Sequence, residues 1–145
     1  MRMYKKILVA VDGSVQSEQA LEKAIAMAKL HDTHLFIAHV IDLRNFSTHA
    51  YNRQGILTDA ETKEILEKYK NKAVQAGLKN VQTILSSGNP RVQLSRNLLS
   101  EYNIDLLVTG STGRNAFERM LIGSVAEACV RHAPCDVFTV KTGEG

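Results

Sequence analysis

No stretch of this chain approaches the roughly 20 consecutive apolar residues that a membrane-spanning helix requires. Its opening, Met-Arg-Met-Tyr-Lys-Lys, runs straight into a strand pattern rather than a signal peptide, so a cytoplasmic location with no membrane contact is expected. Cysteine is scarce. Cys129 and Cys135 stand six positions apart with no CxxC pair, which suits buried thiols in a reducing compartment better than zinc or a disulfide framework. No block of basic residues occurs: 18 Lys and Arg are interspersed with 15 Asp and Glu, for a net charge of +3. That balance argues against nucleic acid and leaves small acidic ligands open. No Pro/Gly/Ser-rich stretch divides the 145 residues, so a single domain, 1–145, is expected.

Several chemical templates are also missing. There is no GxxxxGK[ST] phosphate loop, no GxGxxG after the first strand pattern and no GxSxG elbow. His31 and His34 are read as a turn residue and a strand start rather than as metal ligands on one helix face. His39, His49 and His132 have no evident partner in sequence, and no catalytic triad can be assembled.

What is present is a regular alternation. Lys6 to Val11 is a continuous apolar run, the pattern of a strand buried on both faces of a parallel sheet. After Asp12-Gly13-Ser14, the residues Ala20, Leu21, Ala24, Ile25 and Ala28 recur at helical spacing, with Ser14 or Ser17 as N-cap. His34 to Val40 is a second strand. Thr58-Asp-Ala-Glu61 is a capping box opening a helix whose Ile65, Leu66, Tyr69 and Ala73 share one side, and Gly77 closes it. The intervening Leu43 to Leu57 shows no period; a connection this long is usually either a lid or simply mobile, and the mobile reading is preferred.

Val81 to Leu85 is a third strand. Gly88-Asn89-Pro90 then places an N-cap and a first-turn proline before a helix carrying Val92, Leu98, Leu99 and Tyr102 on its apolar face. Leu106 to Val108 is a fourth strand, Ser124-Val-Ala-Glu127 a second capping box, and Val137 to Val140 a last short strand. The order βαβαβαβαβ implies an α/β fold: a doubly wound parallel sheet with helices on both faces and right-handed crossovers. With strand order 3-2-1-4-5, the ligand crevice lies where growth of the sheet reverses, between the first and fourth strands.

The candidate site follows from that crevice. Thr109-Gly110-Ser111-Thr112-Gly113-Arg114 follows the fourth strand, nine residues separate Gly113 from Gly123, and Ser124 opens the last helix. Closely spaced glycines let backbone N–H groups converge on an anion, and a helix start adds unpaired donors from Gly123, Ser124 and Val125. Phosphate is the expected guest. Across the crevice, Val11, Asp12, Gly13 and Ser14 end the first strand; the Asp12 carboxylate suits a ribose hydroxyl or a hydrated Mg²⁺ or Mn²⁺ on the phosphates. Two plainer readings stand beside these. Asp12 is also placed to form a turn with Gly13 and Ser14, and the pair Ser124 and Glu127 is explained by capping alone. Arg114 and Arg119 are within sequence reach of phosphate, although loop arginines are usually solvated.

Ile-Leu-Val-Ala-Val-Asp-Gly-Ser at 7–14, Gly-Ser-Thr-Gly-Arg at 110–114, Gly-Ser-Val-Ala-Glu at 123–127 and Arg-His-Ala-Pro-Cys at 131–135 resemble the universal stress protein family, over nearly the whole chain. The spaced glycines resemble those of its ATP-binding members. The resemblance implies a Rossmann-like, adenine nucleotide α-hydrolase-like sheet of order 3-2-1-4-5. It further implies ATP with Asp12 near the nucleoside, and backbone contact to adenine from His39, Val40 and Ile41. Phosphate contacts are implied at Gly110, Gly113, Gly123, Ser124 and Val125, and a homodimer through Val137, Phe138, Thr139 and Val140. Two residues depart from the pattern: Thr112 stands where relatives often carry histidine, and Asp136 where they tend to carry proline or an apolar residue.

The expected function is that of an ATP-binding stress-response protein in which nucleotide occupancy changes conformation or partner binding. The alternative is a weak ATP hydrolase or phosphoryl transferase using Asp12 and Mg²⁺. An interaction protein with an empty pocket is a third reading, disfavoured by the intact glycines.

Overall fold

The apolar run of each inner strand divides between two faces because successive side chains point to opposite sides of a sheet. In β1 (Lys6–Ala10), Ile7 and Val9 join one buried cluster while Leu8 and Ala10 join another. β2 (His34–Asp42) does the same, with Leu35 and Ile37 on the first face and Phe36, Ala38 and Val40 on the second. These elements belong to a computed structural model that describes residues 4–42, 59–111 and 124–141. The expectations for 43–57, and for His49, Thr58, Thr112, Gly113, Arg114, Arg119 and Gly123, lie outside the described residues.

With β3 (Val81–Gly88), β4 (Leu106–Gly110) and β5 (Asp136–Val140), the strands form one five-stranded sheet of order β3-β2-β1-β4-β5, every pairing parallel. This is the expected doubly wound order. β1 and β4 are neighbours in register Ile7↔Leu106, Leu8↔Leu107 and Val9↔Val108, so the direction of strand addition reverses between them.

Helices cover both faces. α1 (Val15–His31) and α2 (Asp59–Gln75) lie over the first cluster, which holds Ala20, Leu21, Ala24 and Ala28 from α1 and Leu66, Tyr69 and Ala73 from α2. Ser14 is the N-cap of α1: its hydroxyl accepts from Ser17 N–H at 3.1 Å. Gly77 follows α2 with φ +109°, a conformation that glycine adopts without strain.

The second face carries α3 (Pro90–Val92), a π-helical turn (Gln93–Asn97), α4 (Leu98–Glu101) and α5 (Ser124–His132). Leu94, Leu98, Leu99 and Cys129 bury against Leu8, Phe36 and Leu107 there. Asn89 caps α3, its side chain accepting from Arg91 N–H at 3.0 Å, and Pro90 occupies the first turn, as expected.

Four details differ from the sequence expectation. β3 runs on to Gly88 instead of stopping at Leu85, because Val40, Ile41 and Asp42 of β2 continue to pair with Ser86, Ser87 and Gly88. The helix after Pro90 is not uniformly α. Leu98 N–H reaches back five residues to the Gln93 carbonyl, and the buried Ser95 hydroxyl takes the Arg91 carbonyl four residues earlier, a competitor for the helical ladder. Val92 is 44% exposed and lies off the apolar face it was assigned to. His31 is the last residue of α1 rather than part of a turn; its ring meets Tyr4 edge-on, while His34 stacks on Phe36 at 4.2 Å.

Among the described residues no helix is long and apolar enough to cross a membrane.

Candidate functional site

Strands of a parallel sheet all end at one edge, and this edge gathers most of the predicted site residues. β1 ends at Ala10, one residue earlier than expected, and Val11 continues its ladder by donating to the Ala38 carbonyl at 2.9 Å. The chain then turns. Asp12 Oδ1 accepts from Ser14 N–H at 3.0 Å, Asp12 N–H donates to Ser17 Oγ at 3.2 Å, and Gly13 between them has φ +86°. This is an aspartate turn leading into a capped helix, so the plainer reading of Asp12 is realised. A side chain at Gly13 would be strained by about 1–2 kcal/mol.

β2 brings His39, Val40 and Ile41 to the same edge. The sequence offered no partner for His39; the structure supplies one, with Nδ1 lying 2.8 Å from the Val11 carbonyl oxygen. A carbonyl can only accept, so Nδ1 carries the proton.

β4 brings Thr109, Gly110 and Ser111 alongside. Gly110 and Ser111 lie two and three residues beyond the last β1–β4 pair, Val9↔Val108, as Val11 and Asp12 do on the other strand. Ser111 N–H is held by the Val140 carbonyl at 3.1 Å, which ties the start of the glycine segment to β5.

α5 leads into β5 at the opposite edge of the sheet, so its beginning, Ser124, faces the carboxyl edge. Ser124 is already helical, not a cap outside the helix, and Glu127 meets Arg131 at 3.3 Å one turn on. Val125 packs its side chain against the second cluster, leaving its backbone as the part relevant to a ligand. α1 and α5 thus begin at the same edge but on opposite faces of the sheet. Gly113, Arg114 and Gly123 lie outside the described residues.

Sequence reasoning missed the contributions of Ser17 and of the His39 imidazole. The spacing Ser14-x-x-Ser17 and a histidine inside an otherwise apolar strand were the available signals. Tyr69 of α2 was read only as a packing residue. Its hydroxyl donates to Glu18 at 3.2 Å, and burial, followed by the Glu18 charge and hydrogen bond and then Asp12, raises its pKa above the usual tyrosine range. Next to it an open groove of about 710 Å³ runs between α1 and α2, lined by Glu18, Glu64, Glu67, Lys68, Lys72 and other polar groups.

Among the described residues no group of three or more His, Cys, Asp or Glu side chains is arranged to hold a metal ion. The thiols are also held in the protonated form. Burial pushes Cys129 to about 12, helped by the charge of Cys135; Cys135 is pushed to about 11 by burial and then by Asp136 and Asp105. Both acids are neutral when protonated, so the folded state keeps protons that the unfolded state releases. Their stabilising contribution is complete below the ordinary value of 9.0 and declines as pH rises through about 11 to 12. We expect alkylation of folded protein at pH 8 to be much slower than that of a free thiol, with unfolding required for rapid labelling of Cys129; mass spectrometry of iodoacetamide-treated samples checks this.

The family model described as the universal stress protein family matches residues 3–141. The chain belongs to the universal stress protein family. A Staphylococcus haemolyticus protein named for the same family is 44% identical over 146 residues, covering 99% of this chain and 88% of its own. Two solved structures have a similar fold. Universal stress protein UspA from Lactobacillus plantarum is 29% identical with a TM-score of 0.81, covering 97% of this chain and 99% of its own. A universal stress protein in complex with cAMP is 27% identical with a TM-score of 0.74, covering 97% and 98% respectively. In this universal stress protein the Asp136 carboxylate accepts from the Tyr4 hydroxyl at 2.8 Å at the start of β5.

Proposed function

We propose that this universal stress protein binds ATP, or a close adenine nucleotide, at the carboxyl edge between β1 and β4, and that occupancy alters its conformation or its affinity for a partner. The observation that carries the reading is the placement of Asp12. Its carboxylate stands in a fixed turn where the sheet reverses its growth, beside the strand that delivers Gly110 and Ser111.

In this reading Asp12 receives a ribose hydroxyl, the backbone of His39, Val40 and Ile41 meets adenine, and Val11, Gly13, Ser14 and Thr109 line the crevice. Gly110, Ser111, Gly113, Gly123, Ser124 and Val125 offer amides to the phosphates, with Arg114 as the nearby cation. Among the described residues no acidic cluster is present, and a single carboxylate such as Asp12 suits Mg²⁺, which commonly takes one or two protein carboxylates and keeps its phosphate and water ligands. Asp12 would contribute that carboxylate, and the ion would neutralise phosphate charge. The cAMP bound by a relative supports an adenine nucleotide as the class of ligand.

A regulatory binder fits better than an ATP hydrolase. Asp12, the candidate base among the described residues, already has one carboxylate oxygen engaged by the Ser14 N–H in a fixed turn. A homodimer through β5 belongs to the same proposal: β5 is an edge strand, and Phe138 is 37% exposed on it. Calorimetric titration with MgATP tests the function. One ATP per chain with negligible turnover is expected; rapid multiple turnover by the pure protein, or no binding, overturns it.

A further inference from the structure

The peptide unit joining Val11 to Asp12 is held at both of its polar atoms by side chains from different elements. Its carbonyl accepts from His39 Nδ1–H of β2 at 2.8 Å, and its N–H donates to Ser17 Oγ of α1 at 3.2 Å. Val11 is 5% exposed, so a carbonyl left without a partner there would be costly. Backbone pairing does not require this arrangement. Val11 N–H already completes the ladder to Ala38, and it is the next atom outward that the imidazole takes.

Fixing both ends of a peptide plane fixes its rotation. Rotation of that plane is the ψ of Val11 and the φ of Asp12, and these set where the Asp12 carboxylate stands. We infer that His39 is a positioning residue for nucleoside recognition: its Nδ1–H locks the Val11–Asp12 peptide and thereby aims Asp12. The inference rests on the proposed nucleotide site and assigns a new role to the imidazole, separate from the backbone of the same residue. The tautomer follows too. With the proton on Nδ1, neutral His39 leaves Nε2 as an acceptor.

The test compares wild type, His39→Ala, His39→Asn, Asp12→Asn and the double variant His39→Ala/Asp12→Asn by calorimetry. Each is titrated with ATP and, separately, with tripolyphosphate, both in EDTA so that no divalent ion links Asp12 to the phosphates; tripolyphosphate has phosphates but no nucleoside. Asparagine places an amide N–H close to where Nδ1–H stands. His39→Ala is expected to weaken ATP about tenfold and to leave tripolyphosphate unchanged. His39→Asn is expected to restore most of the loss. In the Asp12→Asn background, His39→Ala should add little, since the two act through one interaction.

Wild-type ATP affinity in His39→Ala, equal losses in the alanine and asparagine variants, or equal weakening of both ligands overturns the inference while leaving the nucleotide site standing. Absence of ATP binding by wild type both with and without Mg²⁺ overturns the site and the inference together. A measurement independent of folding in the variants is ¹⁵N NMR of the wild-type imidazoles without ligand. The neutral His39 imidazole is expected as the Nδ1–H tautomer, and an Nε2–H tautomer overturns the clamp whatever the nucleotide does.

Discussion

Replacing Gly113 by valine is expected to lower ATP affinity by at least about a hundredfold, equivalent to roughly 2.7 kcal/mol, while thermal unfolding stays close to wild type. The reason lies in the spacing of the motif. Gly113 is the second glycine of Gly-x2-Gly-x9-Gly-Ser and comes two residues after Ser111, whose N–H is anchored to Val140 at 3.1 Å. A chain that must offer successive amides to a phosphate immediately after such an anchor has few residues in which to turn. Glycine adopts positive φ freely and lets the ligand approach the backbone; valine does neither. Glycine has no side chain to withdraw from a core, so stability is expected to change by no more than about 0.5 kcal/mol. Calorimetry for affinity and a thermal melt for stability read the two quantities separately. Unchanged affinity would remove the glycine segment from the site.

Leu107→Ala should have the reverse profile. Leu107 is fully buried in β4, paired with Leu8 on one side and Val137 on the other, and packs in the cluster that includes Phe36, Leu98, Leu99 and Cys129. Truncating it removes three carbons and leaves a cavity that a sheet covered on both faces can close only in part, a loss of about 2–5 kcal/mol. Domains of this size hold about 5–15 kcal/mol in total, so a substantial fraction of the stability goes. At about 2–4 °C per kcal/mol, the melting midpoint should fall by roughly 5–20 °C. A denaturant titration should show a lower midpoint at unchanged slope. A loss below about 1 kcal/mol would mean that the second cluster repacks far more freely than its burial suggests.

The elements most legible in the sequence were those whose cause is local. Lys6 to Val11 read as a doubly buried strand because nothing polar interrupts it, and β1 occupies all but its last residue. Asn89-Pro90 announced a helix start, and Gly77 a stop, through the behaviour of their own backbones. β3 was cut short in the reading because Ser86, Ser87 and Gly88 have weak strand character. They are held in the strand by Val40, Ile41 and Asp42 of β2, which no local pattern reports. The π-helical turn was illegible for a similar reason: Ser95 is buried against the fold and takes a backbone carbonyl that a regular helix would use.

The site divides along the same line. The turn at Asp12-Gly13-Ser14 and the cap at Ser14 could be anticipated because their donors and acceptors lie within five residues of one another. His39 could not be assigned a partner, since the Val11 carbonyl it holds is 28 residues away along the chain.

Composition and short-range pattern alone therefore established an α/β fold of alternating strands and helices, with a glycine-spaced segment after the fourth strand. Strand adjacency was decided by assembly. The backbone donors and acceptors of a buried strand are chemically the same whichever neighbour they meet. Only burial of both faces at once selects β1 between β2 and β4, and with that choice brings Asp12, His39 and Gly110 to a common edge.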